Sequence, residues 1–181
     1  MTTNYAKSSL APPIWVLAIA VSAANVGIFL LSPAIPQMRD DLMVTSDEAQ
    51  LVLSAFLIML GFGQLIAGSL SDRIGRRPVL VYGSLLFLLS GLGALFSTSI
   101  EMLVVMRIFQ GLGAATCMAM GRVIISDSFQ RAEAGRQMST ITMFQSVVPL
   151  LGFAFGGVMA DLVGWRGSVG LMVVTAAIVF L

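Results

Sequence analysis

Charged residues fall in short clusters along the chain. Between them lie apolar runs of roughly 20 residues, the length that a ~30 Å hydrocarbon core asks of a helix. Ile14–Pro36, Ala49–Ser71 and Val79–Ser97 contain no charge. Glu101–Ile125 carries Glu101 at one end, Arg107 inside and Arg122 near the other end; Met138–Ala160 is again uncharged, and a sixth run begins at Gly167. None alternates apolar and polar residues as barrel strands do, and in hydrocarbon only helices or closed barrels satisfy the backbone. The pattern predicts an all-α polytopic membrane protein, with a tail over 1–13 and a six-helix transmembrane bundle over 14–181. Its spans are expected near 14–36, 49–71, 79–97, 101–125, 138–160 and 167–181. The last run has only 15 residues before Leu181, roughly 22 Å of helix, and nothing polar ends it. A sixth helix truncated within the membrane is expected.

Composition narrows the function. Of 181 residues 57% are hydrophobic and 10% charged, against about 25% charged in soluble domains, which excludes an ordinary water-soluble fold. With no histidine and the single cysteine Cys117, neither a Ser–His or Cys–His dyad nor a His-based metal site is available. No Ser–Lys or paired-carboxylate cluster sits at membrane depth, so no catalytic constellation is visible. No cofactor is implied, and a formal charge of +1 gives no argument for nucleic acid. Lys7, Arg73, Arg76, Arg77, Arg131 and Arg136 lie on one side of the predicted spans, and Arg39 and Arg166 on the other. That asymmetry predicts a cytoplasmic N-terminus.

The link between the second and third spans is the most specific stretch: Gly68-Ser-Leu-Ser-Asp72-Arg73-Ile-Gly75-Arg76-Arg77-Pro78. Asp72 falls at the C-terminal end of a helix, where the dipole is already negative, so it needs a cation or another helix N-terminus. Gly61, Gln64 and Gly68 share its face, and the two glycines would admit a close helix. Gly75 suits a tight turn and Pro78 the first turn of the next helix. Taken singly, the three arginines also read as positive-inside anchors. In the fourth span Arg107 lies about 9 Å from the outer end and must meet a polar partner or a wet cavity, because a guanidinium does not give up its proton. Gln110, Gly111, Ala114 and Met118 follow it on one face. Arg122 reads equally as a side chain snorkelling to the inner interface. In the fifth span Gln145, Pro149, Gly152 and Gly156 share a face, with Gly157 adjacent.

The loop string resembles the cytoplasmic loop motif of the major facilitator superfamily, G-x-L-x-D-R-x-G-R-[RK]. Arg107-Ile-Phe-Gln110-Gly111-Leu-Gly113-Ala114-Ala115 resembles its fourth-helix motif, R-x-x-Q-G-x-G-A-A. The fifth span resembles the antiporter motif G-P-x-x-G-G in part, since Phe153 stands where a proline would follow Gly152; a plain packing face is the other reading. Ser32-Pro-Ala-Ile-Pro36 and Gly121–Phe129 are similar to the bicyclomycin-resistance (Bcr/CflA) type among the twelve-helix drug:proton antiporters. One departure is that Phe29 holds the first-helix place where that group commonly has an aspartate. The resemblance covers the N-terminal half of a family member. It implies alternating access, a missing C-terminal six-helix half as partner, and a latch made by Asp72 and the loop arginines.

Asn25, Phe29 and Ser32, with Ser22 in the same stripe, are candidates for the substrate cavity together with Arg107 and Gln110. A packed or lipid-facing stripe with serines bonded to their own backbone is the other reading. No carboxylate lies near the middle of the first, second, third or fifth span, so the proton-coupling group is expected in the missing half or outside the usual pattern. The resemblance implies an inner-membrane, proton-coupled exporter of small amphipathic compounds, with lipid, substrate and protons as partners. The alternatives are a facilitator or exporter of a metabolite or organic anion drawn to Arg107, and a non-transporting truncated membrane module.

Overall fold

The computed structural model describes residues 13–180, so the predicted tail, with Lys7, falls almost wholly outside the described residues. The described chain forms α1 (Ile14–Phe29), a 3-10 turn (Ser32–Ala34), α2 (Ile35–Leu42), α3 (Ser46–Ile74), α4 (Arg76–Leu95), α5 (Ile100–Ser128), α6 (Arg131–Val163) and α7 (Trp165–Phe180). No strand occurs among the described residues. The stretch Ile14–Leu42 and the helices α3, α4, α5 and α6 are long and apolar enough to cross a membrane; α7 is apolar and has 16 residues.

Local chemistry sets the helix ends. The first apolar run is broken at Leu30–Leu31, because Pro33 has no N–H with which to continue the α-helical ladder. Thr45 opens α3 with a capping box: its hydroxyl accepts from the Glu48 N–H at 3.3 Å while its own N–H donates to Glu48 Oε2 at 2.8 Å. Those donors, the Thr45 backbone first and then its hydroxyl, hold the Glu48 carboxyl below the usual glutamate value. Ser99 caps α5 by accepting from the Met102 N–H at 3.3 Å. The corners α3–α4 and α6–α7 turn on Gly75 and Gly164, with φ of 94° and 85°, backbone that a Cβ would strain.

The long helix α5 is the centre of the bundle. It packs on α3, α4 and α1, while α7 packs on α4, α1 and α6. Helices α4 and α7 therefore cover one face of the α1–α5 pair. The other face, with α3 beside α5 as one wall and α6 beside α1 as the other, carries no further helix among the described residues and so forms a trough. The wall helices bury only narrow stripes, Val52, Phe56, Gly63 and Ala67 on α3 and Ile141, Gly152, Gly156 and Ala160 on α6. Their remaining faces expose large apolar side chains such as Leu57, Phe62, Leu65, Leu150 and Phe153.

Candidate functional site

Arg107 projects from α5 into the core and is 0% exposed. Its Nη2 donates to the Gly27 carbonyl at 2.7 Å, its Nε to the Val52 carbonyl at 3.2 Å and its Nη1 to Gln110 Oε1 at 2.7 Å. Gly27 is among the last four residues of α1, whose carbonyls lack helical partners. Arg107 thus caps the broken end of α1, and its charge sits where the helix dipole is negative. The guanidinium lies 4.1 Å from the Phe56 ring centroid. Met172 of α7 closes the node, its sulfur 3.6 Å from Arg107 Nη1 and 3.1 Å from Gln110 Nε2. Arg107 and Gln110, both expected on the wall of the substrate cavity, are buried between helices in this arrangement.

The glycines of the same motif serve backbone approach. A Cβ on Gly111 would lie 2.6 Å from the Phe56 carbonyl oxygen, and one on Gly113 would lie 2.6 Å from the Phe87 nitrogen. They let α3 and α4 close on α5 from two sides.

On α6, Pro149 lacks an N–H, so the Gln145 carbonyl four residues earlier loses its helical donor. Asn25 of α1 replaces it, its Nδ2 donating to that carbonyl at 3.2 Å. The Gln145 side chain reaches the other way: Nε2 donates to the Val21 carbonyl at 3.1 Å, and Oε1 accepts from Arg122 Nη2 at 3.4 Å. Asn25 and Arg122 thus meet at Gln145, bridging α1, α5 and α6. Phe29 packs on Gly152, where a Cβ would stand 3.1 Å from its own Cβ. Gly156 lies against the Leu30 carbonyl, whereas Gly157 has only Pro33 nearby, at 3.8 Å. The hydroxyls of Ser22 and Ser32 bond to Ala18 and Ile28 carbonyls within their own stretch, at 2.8 and 2.9 Å. An apolar cavity of about 400 Å³ lies between α1, α6 and α7. Ser22 is on its wall, and none of Asn25, Phe29 or Ser32 lines it.

At the arginine-rich end, Arg76 meets the demand that Asp72 makes. Its Nη1 donates to Asp72 Oδ1 at 2.8 Å and to the Ser71 carbonyl at 3.1 Å, and its Nε to Asp127 Oδ2 at 3.3 Å. The hydrogen bonds to Asp72 and then Asp127 raise its pKa further. One side chain so clamps the ends of α3 and α5 to the start of α4. Arg73, Arg77 and Gly68 are exposed, and a Cβ added to Gly61 or Gly68 meets nothing within 4 Å. Asp127 escaped the sequence reading although it carries the same signal as Asp72, an acid at a helix C-terminal end. Phe56 and Met172 carried none, being ordinary apolar residues in apolar runs.

A sequence profile of the Major Facilitator Superfamily matches residues 17–181. The chloramphenicol resistance protein of Pseudomonas aeruginosa is 32% identical, covering 94% of this chain and 42% of its own length. Multidrug resistance protein D of Escherichia coli (strain K12) is 34% identical, covering 91% of this chain and 42% of its own length. The chain thus spans less than half the length of these relatives. Among solved structures, a D-xylose-proton symporter superposes with a TM-score of 0.80 at 16% identity, over 92% of this chain and 46% of that one.

Proposed function

Because this chain belongs to the Major Facilitator Superfamily, a family of transporters and not of enzymes, we propose that it forms the N-terminal half of a proton-coupled exporter of small amphipathic compounds. It would work by alternating access against a second six-helix half, in the inner membrane with its N-terminus cytoplasmic. The observation that carries the reading is the open trough. Helices α3 and α6 bury only narrow stripes and leave apolar faces flanking a floor made by α1 and α5, a shape that a matching half would close into a central cavity. Relatives named for chloramphenicol and multidrug resistance support export of drug-like compounds, and the Ser32–Pro36 and Gly121–Phe129 strings, with the partial fifth-span match, support the drug:proton antiporter group. In this reading Gly68, Asp72, Arg73, Gly75, Arg76 and Arg77 form the conformational latch. Arg107, Gln110, Gly111 and Gly113 hold α1 and α3 on α5, and Pro149, Gly152, Gly156 and Gly157 shape the α1–α6 contact.

The test is accumulation of chloramphenicol and a panel of amphipathic dyes in cells lacking their major exporters, with and without the full-length protein. Lower accumulation that a protonophore restores is the expected result. Accumulation unchanged across the panel, with the protein present in the membrane, would overturn the reading.

A further inference from the structure

Arg122 is the charged side chain that the latch and the helix cap do not use. It lies six residues before the end of α5, about 9 Å inward, and is exposed. Its Nη2 reaches toward α6, to Gln145 Oε1 at 3.4 Å, across a gap where the two helices barely pack. Gln145 is itself fixed by the Val21 carbonyl and by Asn25, so the contact is oriented by α1 and α6. Among the described residues the salt bridges are Arg39 with Asp40 and Arg76 with Asp72 and Asp127; Arg122 forms none. Residues 1–12 contain no Asp or Glu. An exposed guanidinium near the inner interface is favourably placed only where it faces water or an anion, and an amide oxygen cancels none of its charge.

Neighbouring side chains are polar but uncharged. On α6, Thr142 and Ser146 are exposed near Gln145, their hydroxyls bonded to carbonyls of their own helix. On α3, Gln64 is exposed and its Nε2 lies 3.8 Å from the sulfur of Met118, one helical turn from Arg122. Close to Arg122 the trough therefore presents one positive charge among neutral polar groups; the exposed Asp72, two turns beyond Gln64 on α3, is paired with Arg76. The outer half of α6 is apolar, with Leu150 and Phe153 exposed.

We propose that Arg122, oriented by Gln145, makes the inner half of the trough a subsite for an anionic group of the transported compound and disfavours cations there. The assignment rests on the transporter reading for its ligand, but its electrostatics are measurable without transport. It also moves the anion-attracting role from the buried Arg107 to an arginine that a solute can reach.

The experiment uses the full-length protein with Cys117→Ala, which removes the one cysteine of this stretch, and Gln64→Cys as a reporter in the trough. The rates of modification by a sulfonate-bearing and a trimethylammonium-bearing methanethiosulfonate are compared at low salt, each relative to free cysteine. A unit charge about 10 Å away in a wet cavity is expected to favour the anionic reagent about five-fold or more. Arg122→Gln should abolish that preference and Arg122→Lys retain it. Raising the salt should shrink it in the unaltered Arg122 background, which keeps the test valid if Arg122→Gln does not accumulate. Three results would each overturn the proposal: a reporter that neither reagent reaches, no preference at low salt, or a preference that Arg122→Gln leaves intact. A charge-selective trough in a protein that exports nothing would instead sink the exporter reading and leave the subsite standing.

Discussion

The bond from Asn25 to the Gln145 carbonyl exists because Pro149 removes the N–H which that carbonyl would otherwise accept. A double-mutant cycle tests the causal claim. The bond is long for its kind, 3.2 Å and half-buried. An unsatisfied buried carbonyl costs about 1–3 kcal/mol, but side-chain hydrogen bonds in a membrane bundle average about 0.6 and reach about 1.7 kcal/mol. Asn25→Ala is therefore expected to destabilise the folded protein by about 1 kcal/mol. With Pro149→Ala the helix regains its own donor, so the same Asn25→Ala should then cost only a few tenths of a kcal/mol beyond the packing it removes. The difference, about 0.5–1 kcal/mol of coupling, is read from reversible unfolding of the full-length protein in mixed micelles. Equal costs of Asn25→Ala in the two backgrounds would refute the reasoning: Pro149 would not be what makes Asn25 necessary.

Other expectations follow from single contacts. Arg107→Ala removes the Gly27 cap and the Phe56 stack together and should cost 3 kcal/mol or more, since each bond of a charged group is worth about 1.5–3 kcal/mol. Arg107→Lys should recover part of that, as read in the same unfolding assay. Gly156→Ala drives a methyl into the Leu30 carbonyl and should cost about 1–3 kcal/mol, while Gly157→Ala, with open space around it, should be neutral within about 0.5 kcal/mol. For Glu48 the folded pKa is depressed, so its cap stabilises α3 above the ordinary glutamate value and is lost as pH falls through the lowered one. Amides 46–48 should exchange faster than neighbouring turns below that point, and Thr45→Ala should erase the pH step.

Apolar runs and arginine clusters made the helices and the corner at Gly75 legible, because hydrocarbon thickness and backbone conformation act on local sequence. Asp72 was legible by its conflict with the helix dipole, and Arg76 proved to be its partner. The direction of Arg107 was not legible. A lone arginine in an apolar span says that it needs polar company, and only the break in α1, which leaves the Gly27 carbonyl without a donor, says where that company lies. The separation of Arg107 from Arg122 was hidden for the same reason: spacing along α5 does not reveal that Met172 of α7 closes over one side while no described helix covers the other. Along the sequence Asn25 is one polar residue in a stripe, while the vacancy it fills is created by a proline 124 positions later in α6.

Trp165 at the α6–α7 corner is fully buried, with its indole N–H donating to Asp41 Oδ2 at 3.1 Å and Arg166 stacked 4.3 Å from its ring centroid. The other tryptophan, Trp15, is 59% exposed at the opposite end of the bundle. The sequence therefore carries two indole fluorophores in contrasting surroundings. Replacing Trp15 with phenylalanine leaves Trp165 as its sole indole emitter, whose wavelength and quenching by aqueous iodide report whether α2 is seated on the corner. Loss of the Asp41 bond would appear as a red-shifted, quenchable band, giving a label-free optical record of motion at that end of the bundle.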